Sequence, residues 1–287
     1  MKNVSVIIPA FNEEEGIAVT LERLRHVPLS LEVIVVDDGS TDRTGEVAKK
    51  FGARVIRHPA NGGYGHSLKS GILVATHDLI AIADADGTYP VEEIPAMMQK
   101  MEEGFDMVVG VRQGAHFRGM FLKMPARFVF QFLVEFSTGR HIPDINSGLR
   151  IFRKSDIVPL FPLLCGTFSF TTTLTLAYCF LRKFICYVPI RYEKRIGNSK
   201  VRLVRDSLRT LQYIVESIAR FNPLKLYLLL AVMLLLLACG AAVAWWYFSL
   251  VILSIAMSVF LTGAFLIFAL GLYASSMSKE HTEPRLV

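Results

Sequence analysis

The chain has 287 residues, enough for one sizeable domain with an appendage or for two small ones. Hydrophobic residues make up 52% and charged residues 20%, greasier than most soluble domains; the four cysteines lack CxxC spacing and a nearby histidine set, which excludes a zinc site and a disulfide framework. The formal net charge of +6 is modest, and no nucleic acid is expected as a partner.

The opening "MKNVSVIIPAF" has too short an apolar run for a signal peptide and enters a strand-like pattern at once. From residue 4 to 111, Val- and Ile-rich runs alternate with helical patterns. The runs "VSVIIP", "EVIVVDD", "ARVIRH", "LIAIAD" and "DMVVGVR" predict strands buried on both faces. Between them Ile17, Leu21 and Leu24 recur at helical spacing, as do Leu68, Ile72 and Ala75. The alternation predicts an α/β fold, a Rossmann-like, mainly parallel sheet with helices on both faces. Ligands of such sheets bind beyond the carboxyl ends of the strands. Those ends carry "PAFNEE", "DDGSTD", "HPANGGYGH" and "DADGTYP", so that rim is the expected active site.

From Gly114 to Phe136, aromatics and Met interleave with Arg118, Lys123 and Arg127. Two readings stand: a core helix with a basic edge, or an amphipathic helix lying at a bilayer surface. Between Arg191 and Arg209 seven Lys or Arg face two acids, a pattern open to a solvated helix face, to anionic headgroups or to a phosphate ligand. From Leu226 to Ser278 there is no Asp, Glu, Lys, Arg or His, room for two membrane spans divided near "WWYFS", whose rings suit an interface. A buried hairpin of a soluble core is the alternative. Arg220 and Lys225 precede the first span and Lys279 and Arg285 follow the second, which predicts both termini and the catalytic domain on the cytoplasmic side. The expected organisation is a catalytic domain over 1–190, a basic juxtamembrane segment over 191–222, a transmembrane hairpin over 223–278 and a tail over 279–287.

Within the rim, Asp84 and Asp86 stand one residue apart at a strand end. Hard oxygen donors at such a corner suit Mg2+ or Mn2+, held by one or two carboxylates together with substrate phosphates. Helix capping is the structural alternative, since Glu92 and Glu93 follow. Asp42 is assigned to a cap and Asp38 to a ligand. Asp38 and Glu13 offer acceptors for the N–H and hydroxyl donors of a nucleoside. "NGGYGHSLKSG" offers glycines, a helix N-terminus for an anion and Lys69 as a point charge. It fails as a dinucleotide fingerprint, because Leu68 stands where the third glycine belongs, and no Walker loop is present.

Taken together, "VSVIIPAFNEEEGI", "EVIVVDDGSTDRT", "NGGYGHSLKSGI", "IADADGTYP" and "INSGLRIFR" resemble the motifs of family-2 glycosyltransferases with the GT-A fold. With two C-terminal spans the chain is most similar to the polyprenyl-phosphate glycosyltransferases, the dolichol-phosphate mannose synthase-like group. The resemblance implies transfer of a hexose from a UDP- or GDP-linked sugar to undecaprenyl or dolichyl phosphate, with Mg2+ or Mn2+ and inversion at the anomeric carbon. It implies that Pro9, Ala10, Glu13 and Asp38 hold the nucleoside, and that Asp84 and Asp86 take the metal. Arg112, Arg127 and Gln131 correspond to the surface for the acceptor phosphate, Ser147 and Gly148 to the sugar pocket. "RIGNSKVR" resembles a basic loop near the membrane, placing Lys200 and Arg202 over the diphosphate. Asp86, Asp144, Arg127 and Lys200 are the expected catalytic set, Asp144 orienting the attacking phosphate. Thr88 departs from the pattern, since relatives often carry an amide or acid there. The bilayer is an expected partner, as is self-association through the membrane helices.

Two other classes are weighed. A sugar nucleotidyltransferase would carry a G-x-G-T-R-like loop after its first strand, where this chain has "PAFNEEEG". A non-catalytic, membrane-tethered sugar-nucleotide-binding subunit would have no need of the rim acids. A transferase of the same fold with a different lipid or glycan acceptor is the remaining alternative.

Overall fold

A computed structural model describes residues 3–114, 124–197 and 203–282. It divides into two compact units, Met1–Tyr213 and Ile214–Val287.

The first unit opens with β1 (Val4–Ala10), α1 (Glu14–Arg25), β2 (Leu31–Asp37), α2 (Thr44–Lys50), β3 (Arg54–Arg57), α3 (Tyr64–Val74) and β4 (Leu79–Ile82). A 3-10 turn at Val91–Glu93 leads into α4 (Ile94–Glu102), then β5 (Met107–Gln113) and α5 (Met124–Thr138). After β6 (Arg150–Arg153) come the short α6 (Lys154–Ile157), a 3-10 segment Val158–Leu163, α7 (Phe170–Phe180) and β7 (Ile185–Arg191). The strands form one sheet in the order β3-β2-β1-β4-β6-β5-β7. Every pairing is parallel except the two made by β6. The expected α/β architecture is borne out.

Both faces of the central strands are covered, which is why β1, β2, β4 and β5 are dominated by apolar residues. Val4, Val6 and Ile8 of β1 pack with Ile17 and Leu21 of α1 and Met97 and Met101 of α4. Ile7 faces the other way and joins Leu68 and Ile72 of α3 and Phe170 and Leu174 of α7. Burying each such side chain contributes about 1.5–3 kcal/mol, so the alternation fixes the register firmly. The helical stripes expected on α1 and α3 are the buried ones.

Register explains why so many loops meet. Ala10 pairs with Asp37 and Asp37 with Arg57, while Ile7 pairs with Ile82. The carboxyl ends of β1 to β4 therefore lie at one edge. β6 runs the opposite way, and its first residue Arg150 pairs with both Ile82 and Val109. The segment that enters β6, residues 144–149, thus arrives at that same rim. The exits of β5 and β7 arrive there too, with Gln113 paired to Arg191.

α8 (Leu203–Phe221) runs across the division between the units and stops at Asn222, where Pro223 begins α9 (Pro223–Phe248). After a left-handed residue, Ser249, comes α10 (Val251–Thr282). α9 and α10 are antiparallel partners. A Cβ on Gly271 would lie 2.5 Å from the Tyr227 Cβ, and one on Gly263 would lie 3.3 Å from Leu234, so the glycines let the helices approach. The apolar stretches, Pro223–Phe248 and Val251–Met277, have 26 and 27 residues, roughly 39 Å of helix against a hydrocarbon layer of about 30 Å. They meet near the "WWYFS" boundary read from the sequence. Leu236 and Phe265 are about 70% exposed, the reverse of a soluble core. This is a membrane protein. The last helix continues four residues beyond the span end expected at 278, since charge ends the apolar stretch without ending the helix.

Candidate active site

The turn after β4 carries Asp84 and Asp86. Asp84 Oδ1 accepts a hydrogen bond from the Tyr64 hydroxyl at 2.9 Å, and both its oxygens rest on the Gly148 backbone, where a Cβ would lie only 2.9 Å away. Any side chain at position 148 would push Asp84 out of place. Desolvation, and after it the charge of Asp86, raises the Asp84 carboxyl to about 7. Two carboxylates that repel in this way favour a cation between them.

Asp86 is 4% exposed. Its Oδ1 accepts from the Thr88 amide at 3.1 Å and the Thr88 hydroxyl at 2.6 Å. Thr88, the departure from the family pattern, therefore orients Asp86. Oδ2 faces Arg195 Nη1 at 3.0 Å, and Arg195 Nη2 also pairs with Glu13 at the end of β1. Among the described residues no three His, Cys, Asp or Glu gather into a metal-binding group. The Asp84–Asp86 pair is the candidate donor set for a cation. A set of two hard oxygen donors fits Mg2+ or Mn2+ completed by substrate phosphates.

The β5 exit supplies the second charged group. Arg112 Nε and Nη2 donate to the two oxygens of Asp144 at 2.7 and 2.8 Å, a bidentate pair in which the side chains are 13% and 3% exposed. Burial opposes the Asp144 charge, but the Arg112 bonds and charge outweigh it and hold the carboxyl below the ordinary carboxylate range. The guanidinium also lies over the Tyr192 ring at 5.4 Å. Beside the pair is a small cavity of about 50 Å³, lined by Arg112, Phe130, Gln131, Val134 and Asp144. Gln131 is exposed and donates to Glu135 at 3.0 Å. Arg112 and Arg195 both lower the carboxyl of Asp84, so the two halves of the rim share one electrostatic field.

Ser147 is fully buried, and its hydroxyl is a polar atom without a hydrogen-bond partner. Next to it, Gly148 N donates to the Tyr89 hydroxyl at 2.7 Å. Arg150, fully buried, holds the segment from behind, donating to the carbonyls of Ser147 at 2.8 Å and Ile145 at 2.7 Å and to Thr175 at 2.6 Å.

At the opposite end of the rim, Pro9 and Ala10 are buried in β1, and Ala10 O accepts from Asp38 N at 2.9 Å. Asp38 is 3% exposed and already accepts from Gly62 N, Gly63 N and His58 Nδ1. A carboxylate has about four acceptor directions, which leaves one for a nucleoside donor. Asp42 is structural rather than a ligand, accepting from Thr44 N at 2.9 Å, although the N-cap position of α2 is Arg43 and not the expected Asp42.

Lys69 corrects an expectation. Its ammonium donates to the carbonyls of Phe161 at 2.9 Å and Leu164 at 2.6 Å and lies over the Phe161 ring, so it ties α3 to the 3-10 segment and is not turned to the rim acids. At the N-terminus of α3, the amides of Gly62 and Gly63 donate to Asp38 and that of His66 to Gly166 O, so these three are already engaged within the protein. Arg127 lies on α5, but its side chain is outside the described residues, as are Arg118, Lys123, Lys200 and Arg202 entirely. Residues missed by the sequence reading are Arg195, Tyr64, Tyr89 and Arg150. All four lie within the family-like segments "NGGYGHSLKSGI", "IADADGTYP", "INSGLRIFR" and "RIGNSKVR", but nothing local to those segments marks them individually.

Among solved structures, glucosyl-3-phosphoglycerate synthase from Mycobacterium tuberculosis shares the fold, with a TM-score of 0.63 at 22% identity over 75% of this chain and 80% of that one; that crystal contains Mn2+, UDP and glucosyl-3-phosphoglycerate. A second structure of the same synthase, with phosphoglyceric acid, gives a TM-score of 0.65 at 20% identity, again over 75% and 80% of the two chains. The undecaprenyl-phosphate 4-deoxy-4-formamido-L-arabinose transferase of Pectobacterium atrosepticum is 32% identical over 236 residues, covering 79% of this chain and 70% of the relative. The transferase of that name from Photorhabdus laumondii is 33% identical over the same coverage. The model of glycosyl transferase family 2 matches residues 5–161, across the strands that carry the rim acids, and this chain belongs to that family.

Proposed function

We propose that this chain is a membrane-anchored, inverting glycosyltransferase that moves a sugar from a UDP- or GDP-linked donor to a polyprenyl phosphate. The observation that carries the reading is the rim itself: the Asp84–Asp86 pair at one end and a guanidinium clamped by Asp144 at the other, in a chain with two apolar helices long enough to cross a bilayer. The relatives named for undecaprenyl phosphate support this acceptor class. The sugar in their name is a formamido derivative of arabinose, a pentose, so the hexose expected from the sequence is one of at least two sugar classes to test.

In this reading Glu13, Asp38 and the backbone of Pro9 and Ala10 hold the nucleoside. Asp84 and Asp86 hold a divalent cation, which when bound neutralises the charge of the departing diphosphate. Tyr64 and Thr88 fix the two carboxylates, and Gly148 leaves room for the first. Lys200 and Arg202 close over the diphosphate from the basic segment. Arg112, Arg127 and Gln131 receive the acceptor phosphate, with Asp144 holding the Arg112 guanidinium in place. A phosphate oxygen attacks C1 from the face opposite the nucleotide. That oxygen is anionic near neutral pH, so no strong general base is needed. The charged flanks of the hairpin favour a catalytic domain and termini on the cytoplasmic side.

The test is incubation of detergent-solubilised protein with radiolabelled UDP and GDP sugars, pentoses and hexoses alike, with and without undecaprenyl phosphate. Label in the lipid fraction that depends on the acceptor is the expected outcome. Label that never enters lipid with any donor would refute the reading, and conversion of the labelled donor to sugar 1-phosphate and nucleoside triphosphate when pyrophosphate is added would identify a nucleotidyltransferase instead.

A further inference from the structure

The segment leaving β7 is stitched across the acid turn. Glu193 N donates to Thr88 O at 2.9 Å and Ile196 N to Asp86 O at 3.1 Å, while the Ile196 side chain packs over Gly87. Between these two ties stands Arg195, about one-third exposed, with one Nη on Glu13 and the other 3.0 Å from Asp86 Oδ2. Its Nε is buried and has no hydrogen-bond partner. Asp86 thus spends Oδ1 on Thr88 and Oδ2 on a guanidinium.

A divalent cation bound to Asp86 would share that carboxylate with Arg195, two like charges within a few ångströms. Like charges that close disfavour each other. A guanidinium pairs equally well with a phosphate, in a bidentate fork that matches its donors, and the idle Nε supplies one tine. Resting on the proposed reading of Asp86 as a cation ligand, we propose that Arg195 is a positioning residue that occupies Asp86 in the cation's stead, holding Glu13 and Asp86 in place and yielding the carboxylate when cation and nucleoside diphosphate arrive together. The residue makes metal binding conditional on the nucleotide. Metal alone meets a filled carboxylate; metal with a diphosphate brings its own partner for the displaced guanidinium.

The experiment measures Mn2+ affinity without nucleotide, from the paramagnetic resonance signal of free Mn2+, on the full-length protein in detergent. Removing this positive charge with Arg195→Met should tighten Mn2+ binding by about tenfold, the size of a one-unit like-charge effect. Arg195→Lys, which keeps the charge, should stay near the parent. Arg43→Met removes an exposed guanidinium that pairs with Glu14 and should also stay near the parent. With saturating UDP the advantage of Arg195→Met should vanish or reverse. Unchanged or weaker Mn2+ binding in Arg195→Met, or equal tightening in Arg43→Met, would overturn the proposal while Asp86→Asn still abolishes binding. Parent-like Mn2+ binding by Asp86→Asn would instead remove the reading of Asp86 as a ligand, and the proposal with it. Thermal unfolding of each variant establishes that it is folded.

Discussion

The two ends of the rim handle charge in opposite ways. At the acceptor end Arg112 and Asp144 form a closed, nearly buried bidentate pair, one charge against one. At the proposed donor end lie three carboxylates, Glu13, Asp84 and Asp86, and one guanidinium, that of Arg195, pairs with Glu13 and Asp86. The first arrangement is complete and sets a geometry; the second carries excess negative charge, and burial together with the charge of Asp86 raises Asp84 to about 7, a setting that suits a cation. A site that must release a nucleoside diphosphate after each transfer needs a removable charge at that end, whereas a phosphate receptor needs a fixed fork.

The comparison can be broken most severely at Asp86. Asp86→Ala should lower transfer by at least about 10²–10³-fold, the usual scale for losing a transition-state electrostatic contact, with an unchanged melting curve. The acceptor pair should fail differently. Asp144→Ala leaves the Arg112 charge uncompensated and should cost about 3–5 kcal/mol of stability, read by denaturant unfolding, while replacing both partners with apolar residues should cost less. The same pair has a pH signature. The Asp144 carboxyl is held below its unfolded value of about 4, so its contribution is present above that pH and is lost as pH falls through the folded value. The acid limb of the stability curve should flatten in Asp144→Asn. Arg127→Ala should raise the KM for lipid acceptor by about tenfold and leave that for donor nearly unchanged, a loss of about 1.4 kcal/mol of binding confined to one substrate. The smallest effect is expected from Tyr64→Phe, which removes one hydrogen bond to Asp84; such a bond is worth about 0.5–1.5 kcal/mol and should appear as a few-fold loss of affinity for the metal–nucleotide complex.

How much of this the sequence carried depended on how local the signal was. β1, β2, β4 and β5 are mostly apolar runs because both faces are covered, and the polar loops at their ends named the rim acids directly. β6 escaped, being four residues, "RIFR", with an arginine at each end. Its antiparallel direction is what delivers Asp144, Ser147 and Gly148 to the rim, so a missed strand hid the reason those residues belong there. Arg195 opens the basic loop "RIGNSKVR", but its pairing with the rim acids was hidden for a different reason: Glu13 is 182 residues away, and only the sheet order brings them together. Lys69 misled in the other direction. A lysine after a glycine-rich loop imitates a phosphate site in sequence, but the carbonyls of Phe161 and Leu164, supplied by a distant segment, claim its ammonium.

The central claim is that Asp84 and Asp86 hold a divalent cation that carries a nucleotide's phosphates. Titration calorimetry of purified protein with UDP- and GDP-sugars, with Mn2+ and then with excess chelator, tests it most directly. The account predicts saturable binding of at least one nucleotide sugar that disappears on chelation and is absent from an Asp84→Asn/Asp86→Asn double variant. Equal affinity with and without the cation, or full affinity in the double variant, would contradict it.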